Sequence, residues 1–316
     1  MGGVRSAAAA AAADGGGGGG GGDAALYAAL RAARPFFLVA GPNVIESRSH
    51  LERVARHVKA VADRAGLELV FKASFDKANR TCASSFRGPG LEEGLAALEA
   101  VRTALDLRVL TDVHEPWQCE AAARVADVLQ VPAFLCRQTD LLTAAAATGR
   151  VVNVKKGQWC DAAVMRGAVG KLRAAGNARA MVCERGTAFG YTDVVVDTRN
   201  LWRLRRECGV PVVADITHAL QQPAARSVDA SGGVASGGLR ELIPTVGRAC
   251  VAAGVDGVFM EMHDDPRAAP CDGPTQWPLR AALPLLEELK AIATASRARE
   301  EDAPIDLTPV DDEWMP

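Results

Sequence analysis

From residue 36 onward, short apolar segments alternate with longer amphipathic ones, and that alternation limits the chain to very few architectures. The apolar segments are "FFLVAG" (36–41), "ELVFKA" (68–73), "RVLTDV" (108–113), "VLQVPA" (128–133), "VVNVKK" (151–156), "RAMVCE" (179–184), "PVVADI" (211–216) and "GVFMEM" (257–262). Each is apolar on both faces, the pattern of a parallel strand covered by helices. Between them, stretches such as "SHLERVARHVKAVADRAG" and "DAAVMRGAVGKLRAAG" place apolar residues three and four apart and end in glycine, as amphipathic helices do. Eight such units, with a last helix expected from about 276 to 298, predict an α/β fold closed as a (β/α)8 TIM barrel. An open doubly wound sheet is the rival architecture. No GxGxxG turn follows an early strand to support it.

One barrel of roughly 250 residues absorbs most of the 316. We expect a disordered Ala/Gly-rich tail over 1–23, a catalytic barrel over 24–300 and a loose, acidic tail over 301–316. The start, "MGGVRS", fits an N-myristoylation pattern, but the plain reading is a flexible tail on a cytoplasmic protein. The 8 cysteines are scattered singly, without CxxC or zinc-finger spacing, which suits a reducing compartment. A net charge of −2 supplies no field for nucleic acid or an anionic membrane. No apolar run approaches the ~20 residues that cross a bilayer.

Polar residues collect where the strands end: Asn43 and Glu46; Lys72, Lys77, Asn79 and Arg80; Asp112, His114 and Glu115; Gln130 and Arg137; Asn153 and Lys155; Glu184 and Arg185; Asp215 and His218; Glu261 and His263. The opposite ends show nothing comparable in the sequence. In a (β/α)8 barrel the C-terminal strand ends hold the active site. A single lysine there is usually half of a structural salt bridge. Cations at four or more strand ends converge on one small mouth and repel one another unless anions arrive. This points to a phosphorylated ligand.

With these residues in view, the chain resembles the 3-deoxy-D-manno-octulosonate 8-phosphate synthase family. The matching stretches run in order from "AGPNVIES" (40–47) through "FKASFDKANR" (71–80), "TDVHE" (111–115), "LQVPAFLCRQTDLL" (129–142) and "NVKKGQ" (153–158). They continue with "ERGTAFGY" (184–191), "DITH" (215–218), "FMEMH" (259–263) and "DGPTQWPL" (272–279). The resemblance implies condensation of phosphoenolpyruvate with D-arabinose 5-phosphate and water, releasing inorganic phosphate. It assigns Lys72, Lys77, Gln130, Lys155 and Arg185 to phosphoenolpyruvate, and Asn79, Arg80 and Thr81 to the sugar phosphate. Thr81 stands where the family usually has serine. Arg137 resembles an arginine that reaches a neighbouring subunit's site, which implies a homo-oligomer, typically a tetramer.

Part of this family binds a divalent metal through Cys, His, Glu and Asp. Here His218, Glu261 and Asp272 match the last three, and Asn43 replaces the cysteine. Loss of a thiolate removes a soft ligand and a negative charge, so the resemblance implies the metal-independent branch, with no metal and no cofactor. Cys271 is the obvious substitute ligand, but adjacent residues seldom both face one site. Lys77 is the candidate for protonating or polarising the aldehyde; Asp112, Asn43, His218, Glu261 and Asp272 complete the catalytic set. A Schiff base on Lys155 or Lys72 is the alternative chemistry. The stretch "QQPAARSVDASGGVASGG" (221–238) reads as a mobile lid. Two other readings stay open: a related synthase with another aldose phosphate acceptor, and a non-catalytic barrel subunit.

Overall fold

The computed structural model describes residues 20–80, 82, 84–190, 192–227, 234–297 and 308. Eight parallel strands form the barrel: β1 (Phe37–Gly41), β2 (Leu69–Lys72), β3 (Arg108–Asp112), β4 (Val128–Val131), β5 (Val151–Lys155), β6 (Ala180–Glu184), β7 (Val212–Asp215) and β8 (Gly257–His263). Each pairs with its sequence neighbour, and β8 returns to β1 in a register running from Phe37↔Gly257 to Gly41↔Glu261. Every strand edge is therefore satisfied. All eight expected strand positions are found, and the rival open sheet is excluded by the β1–β8 pairing.

The intervening segments become helices for visible local reasons. The Ser47 hydroxyl accepts the His50 N–H at 3.2 Å and starts the helix Arg48–Ala65. Leu51, Val54, Ala55, Val58 and Ala62 form its buried stripe, and Gly66, at φ 64°, ends it in a left-handed turn. Asp161 caps Ala162–Ala174 in the same way, accepting the Val164 N–H at 3.0 Å.

The last helix begins later than expected. Trp277–Pro278 runs as a short strand beside Met262–His263. Leu279–Ala281 then makes one tight turn before the helix Ala282–Arg297. Pro278 has extended backbone (ψ 127°), which no helix can include.

Strand periodicity decides what fills the barrel. Inward positions near the bottom are apolar: Phe37, Val39, Val70, Leu110, Val128, Val151, Met181, Val213 and Phe259. Gly257 leaves room for the Phe37 ring, since a Cβ there would lie 2.4 Å from it. Two residues further up, the same inward faces carry Lys72, Asp112, Gln130, Asn153, Asp215 and Glu261, all buried. The interior thus changes from hydrocarbon to polar within one pleat.

The helix Gly20–Ala32 plugs the bottom, inserting Leu26 and Leu30 into the lower layer. It starts inside the glycine tract, ahead of the boundary expected near residue 23, and its Tyr27 hydroxyl donates to the Ala180 carbonyl at 3.0 Å. Expectations for residues 1–19 and, apart from Thr308, for 301–316 lie outside the described residues. The lower end is also less bare than the sequence implied. Asp127 faces Arg102 and Arg108, each at 3.4 Å, and Arg150 meets Asp23 at 2.9 Å. These charges pair with one another, and the Arg150–Asp23 pair ties the plug down.

The plug makes a direct prediction. Leu30 is fully buried in the lower layer, so Leu30→Ala should cost about 2–5 kcal/mol of stability by urea or guanidinium unfolding. The upper site is on the far side of Phe37 and Phe259, so substrate affinity should be unchanged.

Candidate active site

The polar strand ends meet in one cavity at the C-terminal mouth. Lys72, Lys77, Asn79, Arg80, Asp112, Gln130, Lys155, Arg185, His218, Glu261 and Asp272 line it, together with Ser85, His114, Phe134, Gln158, Gln221 and Ser236. Of the described residues expected from the sequence, two stand apart from this lining. Asn43 lies just behind it and bonds two of its carboxylates. Arg137 is exposed on the turn after β4; its carbonyl accepts from Lys171 Nζ at 2.7 Å. Thr81 lies outside the described residues.

Glu261, on β8, is fully buried and organises one side. Lys72 Nζ donates to Glu261 Oε1 at 2.6 Å and to the Asn43 carbonyl at 2.6 Å. Asn43 Nδ2 donates to Glu261 Oε2 at 2.6 Å and to Asp272 Oδ2 at 3.2 Å, while His218 Nε2 lies 3.3 Å from Glu261 Oε2. Burial opposes the charge on Glu261, but His218, Lys72 and Lys77 outweigh it and hold the carboxyl down at about 2. Burial pulls Lys72 down to about 8, with Glu261 acting against the shift.

Lys77 sits 3.8 Å from Asp112 and 3.9 Å from Glu261. Burial works against its charge too, yet these two carboxylates raise its pKa, so it stays a firm cation. Asp112 is held well below the carboxylate range despite burial, chiefly by Lys77 and Lys72. It also accepts from Ser74 and, at 2.5 Å, from Gln130 Nε2. Asn153 Nδ2 extends that chain to Gln130 Oε1 at 2.8 Å.

On the opposite wall, Lys155 pairs with Asp215 and lies 3.4 Å from the centre of the Phe259 ring. Asp215 also takes the His218 Nδ1 at 2.7 Å. Arg185 differs from the other cations. It donates through Nη2 to the His218 carbonyl at 3.1 Å and to Gln221 Oε1 at 2.9 Å, but it has no carboxylate partner. Its Nη1 is buried without any partner, and its pKa is lowered by burial. Five cations and three carboxylates line the cavity. Adding Asp215 behind Lys155 still leaves the cations in excess. The arrangement fits a small, multiply charged anion.

Asn43 cannot have its amide reversed, because its carbonyl oxygen would then face Glu261 at 2.6 Å. It therefore presents N–H groups, not lone pairs, to the two carboxylates. Cys271 and Asp272 do both reach Arg80, at 2.7 and 3.3 Å, contrary to the expectation for adjacent residues. Asp272 adopts a left-handed backbone (φ 47°) that turns both side chains the same way. Burial and Asp272 push the Cys271 thiol up, which disfavours the thiolate a metal requires.

Sequence reasoning passed over several residues that shape this site. Asp215 reads from the sequence as a strand-end acid, and only its spacing of three from His218 hints that it pairs with both Lys155 and His218. Gln276, whose Oε1 accepts the Asn43 N–H at 3.2 Å, gave no such signal. The expected lid is, in its described part, an antiparallel ribbon of Gln221–Ser227 against Val234–Gly238. Gln221 at its root binds Arg185. Residues 228–233 lie outside the described residues.

Comparison with known proteins agrees with this geometry. The model of the DAHP synthetase I family matches residues 32–295. The chain belongs to that family. It is 61% identical over 287 residues to "2-dehydro-3-deoxyphosphooctonate aldolase 1" of Arabidopsis thaliana, covering 91% of this chain and 98% of the relative. A 2-dehydro-3-deoxyphosphooctonate aldolase of Pisum sativum is 61% identical over 285 residues, covering 90% and 97%. One from Nitratidesulfovibrio vulgaris (strain DP4) is 53% identical over 268 residues, covering 85% and 95%. The family resemblance read from the motifs is thus borne out across the barrel.

Removal of the Glu261 charge tests the pairing on that wall. Glu261→Gln leaves Lys72, 1% exposed, without the carboxylate it touches. The expected loss is about 3–5 kcal/mol in denaturant unfolding. A loss below about 1 kcal/mol would mean that Lys72 does not depend on this pair.

Proposed function

We propose that this protein condenses phosphoenolpyruvate with D-arabinose 5-phosphate and water to give 3-deoxy-D-manno-octulosonate 8-phosphate and inorganic phosphate. The curated relatives carry the name of that enzyme, read in its cleavage direction. The observation that carries the reading in the structure is Arg185: a buried guanidinium with an unpartnered Nη1, in a cavity with excess cations. A phosphate supplies what that nitrogen lacks. No observation favours a different aldose phosphate or a non-catalytic role.

The roles follow from position. Lys72, Lys77, Gln130, Lys155 and Arg185 hold the phosphate and carboxylate of phosphoenolpyruvate. Asn79 and Arg80, further out on the loop after β2, hold the sugar phosphate; Thr81 follows them in sequence. C3 of phosphoenolpyruvate attacks the aldehyde carbon of the open-chain sugar, water adds at C2, and the resulting hemiketal phosphate loses inorganic phosphate by C–O cleavage. Lys77, a firm cation between Asp112 and Glu261, polarises the aldehyde oxygen rather than surrendering a proton. Asn43, Asp112, His218, Glu261 and Asp272 orient the water and the sugar hydroxyls. A Schiff base on Lys72 is disfavoured, since its donors are committed to Glu261, Asn43 and Pro42.

Asn43 occupies the position that would have to supply a soft, negative ligand, and it offers a neutral amide donor instead. The reaction therefore runs without a metal at this site. The exposed Phe134 and Trp159 rings stack at 6.0 Å beside exposed Arg137. Such a patch supports a homo-oligomer, a tetramer on the family pattern, in which Arg137 reaches a neighbouring mouth. The thiols and the absence, among the described residues, of any helix long and apolar enough to cross a membrane fit a cytoplasmic enzyme.

Phosphate release from phosphoenolpyruvate, followed with and without arabinose 5-phosphate and with excess chelator, tests the reading. Release that requires the sugar and survives the chelator is expected. Acceptance of erythrose 4-phosphate in its place would move the protein to another branch of the family. The pH profile gives a second check. Lys72, held at about 8, carries its charge below that pH and loses it above. The kcat/KM for phosphoenolpyruvate should therefore fall as pH rises through about 8, well before ordinary lysines titrate.

A further inference from the structure

Outside the active site, a second cluster of titratable side chains is buried between the loop after β1, the first turn of the helix Arg48–Ala65 and the end of β8. Glu46, His50 and His263 each place one ligand-capable atom within 4.8 Å of the others. Among the described residues this is the one group of three or more such side chains found at that spacing. Both histidines are buried and Glu46 is partly so. Asp264 joins from the side: His50 Nε2 lies 3.0 Å, and His263 Nδ1 3.2 Å, from the same Asp264 Oδ1. Arg53 holds the other carboxylate oxygen at 2.7 Å.

The protons on this cluster are largely fixed by its contacts. Asp264 is held down at about 2 against burial by Arg53 and His50, so it is an acceptor. His50 therefore donates from Nε2 to Asp264. That leaves its Nδ1 as a bare lone pair, buried and without a partner. His263 accepts the Asp265 N–H on Nδ1 at 2.9 Å and so donates from Nε2 to Glu46 Oε1 at 2.7 Å. The pairing His–carboxylate, with the far ring nitrogen open, is the arrangement by which proteins orient a metal-binding imidazole.

We propose that Glu46, His50 and His263 form a structural site for a borderline divalent ion such as zinc, with Asp264 orienting both imidazoles. His50 ligates through the free Nδ1 and Glu46 through a carboxylate oxygen. His263 ligates through Nε2 after its ring proton shifts to Nδ1, where Asp264 Oδ1 accepts it. The Asp265 N–H then relies on its existing contact with Asp264 Oδ1 at 3.2 Å. Two neutral imidazoles and one carboxylate suit zinc or cobalt(II) rather than calcium or magnesium. The ion would tie the β1 loop, which carries Asn43, to the end of β8, which carries Glu261. It is separate from the Asn43, His218, Glu261 and Asp272 constellation and takes no part in the condensation.

The test is titration of chelator-stripped full-length protein with zinc by calorimetry, and with cobalt(II) by visible absorption. One equivalent bound, with a tetrahedral cobalt spectrum and a raised Tm, is expected. His50→Ala should abolish that equivalent, and Asp264→Asn should weaken it roughly 10- to 100-fold. His50→Ala should retain the wild-type kcat, which shows that the variant is folded. His218→Ala should leave the equivalent in place. No binding by the stripped wild type, or binding that survives His50→Ala, overturns the proposal. Binding lost with His218→Ala and kept with His50→Ala would put the ion in the active-site cavity instead.

Discussion

A carboxylate with no solvent exposure, Glu261, is the constraint around which the mouth of this barrel is built. It comes from the strand that closes the barrel, and it holds Lys72 from β2, Asn43 from the β1 loop and His218 from beyond β7. Three segments distant in sequence are thereby fixed in one place. An isolated ionised carboxylate in such a position would be untenable. It survives because two cationic lysines and an amide surround it, and their charges in turn survive because of it. The lowered pKa of both partners of the Lys72–Glu261 pair reflects this. Burial depresses the lysine, while the surrounding cations depress the carboxyl.

That mutual dependence explains why the site is cation-rich without collapsing. Lys72, Lys77, Lys155 and Arg80 each have a carboxylate within 4.0 Å, so most of their charge is compensated before any ligand arrives. Arg185 is the exception, held by neutral oxygens from His218 and Gln221. The cavity thus keeps its shape by ion pairing and leaves one guanidinium without a carboxylate partner. Preorganisation of this kind places little reorganisation cost on binding. It also links the cavity to the ribbon whose root is Gln221, since Arg185 donates to the Gln221 side chain.

The architecture was legible in the sequence because its two periods are clean. Apolar runs such as "VVNVKK" and helical stripes such as Leu51, Val54, Ala55 and Val58 leave no other packing for eight consecutive units. Most of the site was legible for a related reason: inward strand positions that turn from Val or Leu to Lys, Asp or Gln two residues later mark the rim. What escaped depends on contacts between distant segments. Asp215 pairs across to Lys155, 60 residues away, and Gln276 supports Asn43 across 233 residues. No local pattern encodes such a partner. The plug was hidden for another reason: a glycine tract argues against a helix by propensity. Burial of Leu26 and Leu30 under the barrel overrides that preference from Gly20 onward.

The Asn43 position shows how one side chain sets the electrostatics of a shared scaffold. Glu261, Asp272 and His218 converge beside Asn43 from β8, the turn before Trp277 and the segment after β7. A thiolate in that place would add a third negative group, and the cluster would then require a cation to be stable. An amide does the opposite: its two N–H bonds satisfy one oxygen on each carboxylate and add no charge. The carboxylates are thus neutralised by hydrogen bonds and by Lys72, Lys77 and Arg80, all of which belong to the chain itself. The geometry of this cluster is then held by contacts within the chain itself.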